Sequence, residues 1–314
     1  MAKIFVTRKL PFWGEVSKPL LDGGYVVVVS DKNRPMDRRE LETELEGGYD
    51  GLLSLLTDKI DKDLLGHAQN LKVIANYAVG YDNIDVKVCG EKGIKVSNTP
   101  CDEVNESVAE FAWTLMLALA RRLPEAAEYA RNAAYHGWEP EIFIGADVSG
   151  KTLGIIGAGR IGSRVAKRAE GWGMKVVEYS RSSGLKLEEV LAQSDLVSLH
   201  VPLTSETRHL INKNSLGMMK KGAILVNTAR GPVADEAEVA EALRAGMLSG
   251  YGADVFENEP SPYAELLQME NVILTPHIAS ATVAARKAMG TIAVRNLVEG
   301  LAGREMPNLV RAQG

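Results

Sequence analysis

Short runs of apolar residues recur along the whole chain, and mixed polar and apolar stretches separate them. The runs are rich in Val, Ile and Leu, as in strands that are buried on both faces of a parallel sheet. In the first hundred residues they predict strands at 4–7, 26–30, 51–55, 73–75 and 95–96. Further along they predict strands at 151–156, 174–179, 196–200, 224–227, 249–254 and 272–274. The alternation with polar stretches predicts an α/β fold.

The stretches between these runs have helical spacing and suggest two domains. They include 102–131, with a second helix starting at Pro124, then 160–172, 187–192, 235–245 and 281–300. A chain of 314 residues exceeds what one core comfortably supports. We predict a smaller doubly wound substrate domain made of 1–98 plus 286–314, and a domain at 99–285 inserted into it. The second domain is expected to contain a six- or seven-stranded, mainly parallel sheet.

The composition is that of an ordinary globular protein and excludes some partners. A net charge of -5, with no long basic stretch, predicts no nucleic-acid partner. Cys89 and Cys101 have no metal-ligand spacing and cannot build a disulfide framework, which favours a reducing compartment and no metal. The chain enters a strand at once, and the most continuous apolar helix, 111–120, is shorter than the ~20 residues that a bilayer requires. We therefore expect a cytoplasmic protein with no membrane partner.

Three glycines with the spacing Gly-x-Gly-x-x-Gly lie between a predicted strand and a predicted helix. The motif reads Gly157, Ala158, Gly159, Arg160, Ile161 and Gly162. In this setting the first glycine permits a tight turn, the second lets the backbone approach a pyrophosphate, and the third lets the helix pack close to the strand. The helix N-terminus adds N–H groups that attract phosphate. We predict two doubly wound, Rossmann-like domains, of which the larger binds a nicotinamide dinucleotide through these residues.

Five segments together resemble the D-isomer-specific 2-hydroxyacid dehydrogenase family, and the resemblance covers almost the whole chain. They are 76–85, the glycine motif, 226–231, 253–260 and 275–280. Within the family, 51–58 and 120–126 look most like glyoxylate/hydroxypyruvate reductases. The resemblance implies an oxidoreductase that reduces a small 2-keto acid to the 2-hydroxy acid with NAD(P)H. It also implies a homodimer joined through the helices of 103–131.

Three side chains in these segments suit the reduction of a 2-keto acid. Arg230 follows the strand that ends at Asn227, and its guanidinium can bind the carboxylate and the carbonyl oxygen together. His277 suits the general acid and base, because imidazole exchanges protons near neutrality. Glu259 is expected to hydrogen-bond the other ring nitrogen of His277 and to orient the ring. We predict that all three are catalytic, and that Arg230 and His277 also bind the substrate.

The resemblance implies further contacts in both domains. Backbone N–H groups of Ala78, Val79 and Gly80 would form an anion-binding nest for the substrate carboxylate. Leu53 would line the substrate pocket and Trp138 would reach it from a partner subunit, although core packing is an equal alternative for both. The family pattern also places three residues near the cofactor: Thr228, Ala229 and Asp254.

The end of the second strand of the cofactor domain distinguishes the two nicotinamide cofactors. NAD enzymes usually carry Asp or Glu there, which accepts a hydrogen bond from the ribose and repels a 2′-phosphate. This chain has Ser180, Arg181 and Ser182, which suit a phosphate, while Glu178 is expected to lie inside the sheet. We predict that NADP(H) is preferred, with NAD(H) as the alternative. The connection after Arg181 is shorter than is usual in the family, so modest discrimination is expected.

Two other functions stay open. Another dehydrogenase of the family, acting on D-lactate or D-3-phosphoglycerate, is the nearest alternative. A nucleotide-sensing transcriptional corepressor, which would be an interaction protein, is the second. The complete set of Arg230, Glu259 and His277 favours an enzyme, and the chain has neither a basic patch nor a low-complexity tail.

Overall fold

The structure is a computed structural model that describes residues 1–180 and 184–311. It divides the chain into two compact units, each with its own sheet. Unit 1 consists of Met1–Val104 with Thr282–Gly314, and unit 2 consists of Asn105–Ala281. Helices that begin at Asp102 and Val283 lie at these limits. The sequence predicts domain boundaries after residues 98 and 285. An apolar pattern does not show which of the two units the first turn of a helix packs against.

Unit 1 is built on a sheet that is parallel except at one edge. Its strands are β1 (Lys3–Val6), β2 (Val26–Val29), β3 (Gly51–Ser54), β4 (Val73–Asn76), β5 (Lys95–Ser97) and β12 (Leu309–Val310). Over the described residues their order is β12-β5-β4-β3-β1-β2. The helices are α1 (Trp13–Val16), α2 (Lys18–Asp22), α3 (Arg38–Leu45), α4 (Leu64–His67), α5 (Val86–Glu91) and α12 (Val283–Leu301).

Both faces of this sheet are covered by helices. Phe5, Leu52 and Ile74 lie in one core cluster with residues of α3, α4 and α5. On the opposite face, a Cβ added at Gly51 would lie 3.1 Å from Leu301 of α12. As a result β3 and β4 are buried at every position. This explains why neither strand alternates between apolar and polar residues, and why the first polar side chains, Ser54 and Asn76, are at the carboxyl ends.

Among the described strands of unit 1, β12 is the one that the sequence does not predict. Leu309 and Val310 pair antiparallel with Ser97 and Val96 of β5. Two residues are too few to show a strand period in a sequence. The pairing holds the segment after α12 against the edge of the sheet.

Unit 2 is built on a fully parallel sheet, as predicted. Its strands are β6 (Thr152–Ile156), β7 (Lys175–Tyr179), β8 (Leu196–Leu199), β9 (Ala223–Asn227), β10 (Leu248–Ala253) and β11 (Val272–Leu274). Its helices are α6 (Asp102–Ala120, which begins in unit 1), α7 (Leu123–Arg131), α8 (Gly162–Ala169), α9 (Leu187–Gln193), α10 (Lys213–Gly217) and α11 (Glu236–Arg244). The described residues give six strands in the order β11-β10-β9-β8-β6-β7, which confirms the smaller of the two predicted strand numbers.

The apolar helix α6 is packed against the sheet of unit 2. Ala112, Trp113 and Met116 are buried in the same core cluster as Ile155 of β6. The indole Nε1 of Trp113 donates to the carbonyl of Val165, 3.0 Å away. In the part of the chain that the structure describes, no helix is both long and apolar enough to span a membrane.

The strand order of unit 2 reverses direction at β6. The next strand in the chain, β7, lies on one side of β6, and β8 lies on the other. In doubly wound sheets, ligands bind at the carboxyl ends of the strands beside such a switch point. The glycine motif follows β6 directly, and the segments after β9, β10 and β11 open at the same edge.

Candidate active site

The first and third glycines of the motif are required by packing within unit 2. Gly157 has φ +100°, and a Cβ there would lie 2.8 Å from the backbone of His200 at the end of β8. A Cβ on Gly162 would overlap the carbonyl oxygen of Gly157. These two positions therefore allow the loop to pass the end of β8 and the helix α8 to approach the loop.

The middle glycine is different, because no packing against the described residues requires it. A Cβ built on Gly159 would meet no described atom within 4 Å. The N–H groups of Ala158, Gly159 and Arg160 donate to no other described residue. An open backbone surface with available donors, next to the first turn of α8, fits the pyrophosphate of a dinucleotide.

The end of β7 is only partly described. Ser180 is the last described residue of this segment, whereas Arg181 and Ser182 lie outside the described residues. Glu178 lies inside β7, opposite Ile155 of β6, and is half-buried. Among the described strands β7 is the outermost on this side of the sheet.

A buried amide shapes the segment that carries Arg230. The side chain of Asn227, at the end of β9, donates from Nδ2 to the carbonyl of Arg230 at 2.9 Å. Its Oδ1 accepts from the N–H of Ala229 at 3.0 Å. Between them, the hydroxyl oxygen of Thr228 is buried and has no hydrogen-bond partner among the described residues. Such an oxygen fits a polar group of a bound ligand.

Glu259 has its two carboxylate oxygens directed to different partners. Oε1 accepts from the N–H of Phe256 at 3.3 Å, and Oε2 lies 3.2 Å from Nδ1 of His277. Burial opposes ionisation of this carboxyl, but the hydrogen bond with His277 and the charges of His277 and Arg230 outweigh it and lower its pKa. Since a carboxylate only accepts hydrogen bonds, Nδ1 of His277 carries the proton in this pair.

His277 has an unusual backbone conformation, with φ 55°. A left-handed conformation is unfavourable for a residue with a Cβ and requires support from its surroundings. Asp254 provides it: its carboxylate accepts from the hydroxyl of Thr275 at 2.7 Å and from the N–H groups of Ile278 at 2.8 Å and Ala279 at 2.7 Å. Asp254 is 1% exposed, so this support is held inside the protein.

The segments that carry Arg230 and Glu259 are in direct backbone contact. A Cβ on Gly231 would overlap the carbonyl of Phe256 and the nitrogen of Glu257. No larger residue fits at this position unless one of the two segments moves. The structure therefore brings Arg230, Glu259 and His277 together at the carboxyl ends of β9, β10 and β11, although they are far apart in sequence.

In unit 1, the segment after β4 is held through the carbonyl groups of Ala78 and Val79. The carbonyl of Ala78 accepts from the N–H of Thr99 at 2.9 Å, and the carbonyl of Val79 accepts from the amide of Asn98 at 2.6 Å. Because C=O and N–H point in opposite directions across a trans peptide, the N–H groups of Val79 and Gly80 point away from these partners.

Two of the predicted substrate contacts, Ala78 and Leu53, are occupied by interactions within unit 1. The N–H of Ala78 donates to the carbonyl of Asn76 at 2.8 Å, so it is engaged within the segment. Leu53 is fully buried inside β3, which favours the packing alternative. An anion-binding nest in this segment would therefore have the N–H groups of Val79 and Gly80 as its donors.

The chain is similar to known proteins over nearly its whole length. Residues 113–279 match the family model "D-isomer specific 2-hydroxyacid dehydrogenase, NAD binding domain". A glyoxylate reductase of Thermococcus litoralis is 43% identical and covers 98% of this chain and 96% of its own length. The crystal structure of a protein from Thermus thermophilus has a TM-score of 0.93 at 43% identity, covering 98% of this chain and 100% of that one. The structure of a glyoxylate reductase from Paecilomyes thermophila has a TM-score of 0.87 at 30% identity, covering 100% and 99%.

Proposed function

Because the chain belongs to the D-isomer-specific 2-hydroxyacid dehydrogenase family, and is thus an oxidoreductase that reduces a 2-keto acid, we propose that its substrates are glyoxylate and hydroxypyruvate. We propose further that it prefers NADPH and acts in the cytoplasm as a homodimer. The observation that carries the proposal is the convergence of Arg230, Glu259 and His277 at one edge of the sheet of unit 2. The similarity to glyoxylate reductases supports the choice of substrate.

In the proposed mechanism each of the three side chains has one task. Arg230 binds a carboxylate oxygen and the keto oxygen of the substrate, and its charge polarises the carbonyl. When bound, the nicotinamide supplies the hydride that the carbonyl carbon accepts. His277 delivers a proton from Nε2 to the carbonyl oxygen, so that a hydroxyl group forms and the imidazolium becomes neutral. Glu259 accepts the hydrogen bond from Nδ1 throughout and stabilises the imidazolium before transfer.

The remaining substrate contacts are proposed for unit 1. The N–H groups of Val79 and Gly80 would donate to the substrate carboxylate, as successive N–H groups do in anion-binding nests. This contact needs no charged side chain, so it suits a small keto acid with little besides its carboxylate to bind.

The cofactor proposal depends on the glycine motif and on the residues after β7. The open backbone at Gly159 and the buried hydroxyl of Thr228 support a bound dinucleotide. Preference for NADPH is proposed from the chemistry of Ser180, Arg181 and Ser182, which offer two hydroxyls and a guanidinium to a 2′-phosphate.

Replacing Gly159 with Ala tests the cofactor loop without disturbing the fold. A methyl group there meets no atom of the described residues within 4 Å, so the variant should unfold at the same temperature as the wild type. It would occupy the space of the pyrophosphate, and the KM for NADPH should rise about tenfold or more. Gly171→Ala is the matched control, because a Cβ at Gly171 also meets nothing within 4 Å. Equal KM values for all three proteins would remove Gly159 from the cofactor site.

Replacing Arg181 with Ala tests the cofactor preference. Loss of a charged hydrogen bond to phosphate should raise the KM for NADPH about 10-fold to 100-fold and leave the KM for NADH nearly unchanged. Lys186→Ala is the control, since it removes an equal charge that in the structure pairs with Glu188 nearby. If both cofactors weaken equally in the Arg181 variant, the guanidinium does not bind the 2′-phosphate.

The function itself is tested by NADPH oxidation with a panel of keto acids. Glyoxylate and hydroxypyruvate should give the highest kcat/KM, above pyruvate and 3-phosphohydroxypyruvate. Highest activity with pyruvate or the phosphorylated acid would point to the D-lactate or phosphoglycerate alternative. Cofactor binding without turnover of any keto acid would favour a nucleotide-sensing interaction protein.

The homodimer proposal is supported by apolar side chains on α7 and the segment after it. Leu123, Tyr135, Trp138 and Ile144 are 58%, 59%, 81% and 67% exposed, and α7 has no buried residue. A second copy that covers this surface would explain why large apolar groups lie there. Light scattering should give twice the chain mass of 34.0 kDa, and a monomer mass would contradict the proposal.

A further inference from the structure

Glu259 lies in a tight turn whose two sides are close together. The turn runs from Phe256 to Tyr263, and the N–H of Ser261 donates to the carbonyl of Asn258 at 2.9 Å. The geometry of this turn decides where the Glu259 carboxylate meets His277. Within the turn, Oε1 of Glu259 also accepts from the N–H of Phe256 at 3.3 Å. Neither of these two hydrogen bonds joins one end of the turn to the other, so its two sides need another support.

A buried carboxylate from a different element joins the two sides of the base. Glu236 is the first residue of α11 and is 2% exposed. Its Oε1 accepts from the N–H of Glu257 at 3.2 Å, and its Oε2 accepts from the N–H of Tyr263 at 3.0 Å. Burial and the nearby charges of Glu257 and Glu259 raise the pKa of Glu236, while its two backbone hydrogen bonds act against this.

We propose that Glu236 is a positioning residue for catalysis, which holds both sides of the 256–263 turn and thereby sets the position of Glu259 against His277. This inference rests on the proposed function, since it assumes that the pair of Glu259 and His277 transfers the proton. Burial of a carboxylate costs free energy, and hydrogen bonds to the carboxylate must compensate for this cost. Here both of its described hydrogen bonds go to the backbone of the turn.

The neighbouring segments are built in the same way, which supports the proposal. Asn227 holds the backbone around Arg230, and Asp254 holds the backbone around His277. Each proposed catalytic side chain is therefore on a segment that is fixed by one buried polar side chain. Glu236 completes the set, and it lies outside the segments that the family resemblance singled out.

The replacement Glu236→Gln tests the proposal with little change in volume. A glutamine has one acceptor oxygen, and its NH₂ group would face a backbone N–H, so one of the two bonds is lost. We expect kcat for glyoxylate to fall about tenfold to 100-fold, with the KM for NADPH unchanged. Glu238→Gln, in the same turn of α11, removes the same charge and should retain wild-type kcat. Equal kcat for the wild type and Glu236→Gln would overturn the proposal.

A double-mutant cycle separates positioning from general destabilisation. If Glu236 acts through Glu259, then adding Glu236→Gln to a Glu259→Gln enzyme should cost little further activity. A full additional loss would mean that Glu236 acts elsewhere, and would overturn the inference. A wild-type enzyme that reduces no keto acid would instead contradict the proposed function.

Amide hydrogen exchange gives a readout that does not depend on activity. In Glu236→Gln the N–H groups of 256–263 should exchange faster, while those of β6 and β8 stay protected. Glu236→Asp provides a second variant if the glutamine variant folds poorly, because it keeps the charge but is too short to join both sides. Unchanged exchange in the turn for the folded variant would contradict the proposed support.

Discussion

Replacement of His277 with Asn should lower kcat for keto-acid reduction by about 10² to 10⁴. Asn cannot deliver a proton to the carbonyl oxygen, whereas the hydride and the substrate contacts would remain in place. Asn is also the replacement that best keeps the structure, because it tolerates the left-handed conformation of this position, φ 55°. The loss should therefore come from chemistry and not from unfolding.

The measurement is steady-state reduction of glyoxylate with NADPH, together with the KM for each substrate. His67→Asn is the control, since His67 is paired with Glu46 on the surface of unit 1. The lowered pKa of Glu259 means that this carboxyl stays ionised at neutral pH, so its protonation should not appear in the neutral part of the pH profile. A His277 variant with near-normal kcat would require another proton donor.

Replacement of Arg230 with Ala should lower kcat/KM by about 10² to 10³, since the proposed charge-assisted contact of this half-buried side chain with the substrate would be lost. Both the KM for the keto acid and kcat should change, because in the proposed mechanism the guanidinium would bind the carboxylate in the ground state and would stabilise the charge that develops on the carbonyl oxygen. Binding of NADPH alone should be unaffected.

The companion variant Arg230→Lys tests the geometry of the contact apart from its charge. Lysine keeps one positive charge but cannot place two parallel donors, so its activity should lie between those of the wild type and the Ala variant. If Lys restores full activity, the paired hydrogen bonds have no role. If Ala leaves kcat/KM unchanged, Arg230 does not bind the substrate.

Most strands of this fold could be predicted from the sequence because the inner strands of both sheets are buried at almost every position. Runs rich in apolar residues predict every described strand of both sheets except β12, whose two residues form a strand only through their pairing with β5. The glycine motif could also be identified from the sequence, since the spacing of its glycines is set by contacts between neighbouring elements. Gly157 and Gly162 meet atoms of their own loop, of β6 or of the end of β8.

The supports of the site could not be predicted in this way. Asp254 was expected near the cofactor from the family pattern, and its bonds to the segment around His277 join residues more than twenty positions apart. Nothing in the sequence indicates that Glu236 is buried, because a glutamate in the first turn of a helix is common on protein surfaces. The N–H of Ala78 was expected to bind substrate, but it turns back to Asn76, a detail that depends on backbone angles.

The backbone at His277 has a consequence for variants of this enzyme. A left-handed backbone conformation at a residue with a Cβ costs on the order of 1 kcal/mol of folding free energy. Glycine adopts this conformation without that cost. Selection for thermal resistance alone would thus favour Gly at this position, at the expense of turnover. A library screened only for heat tolerance would drift toward inactive proteins here, so any such screen needs an activity filter.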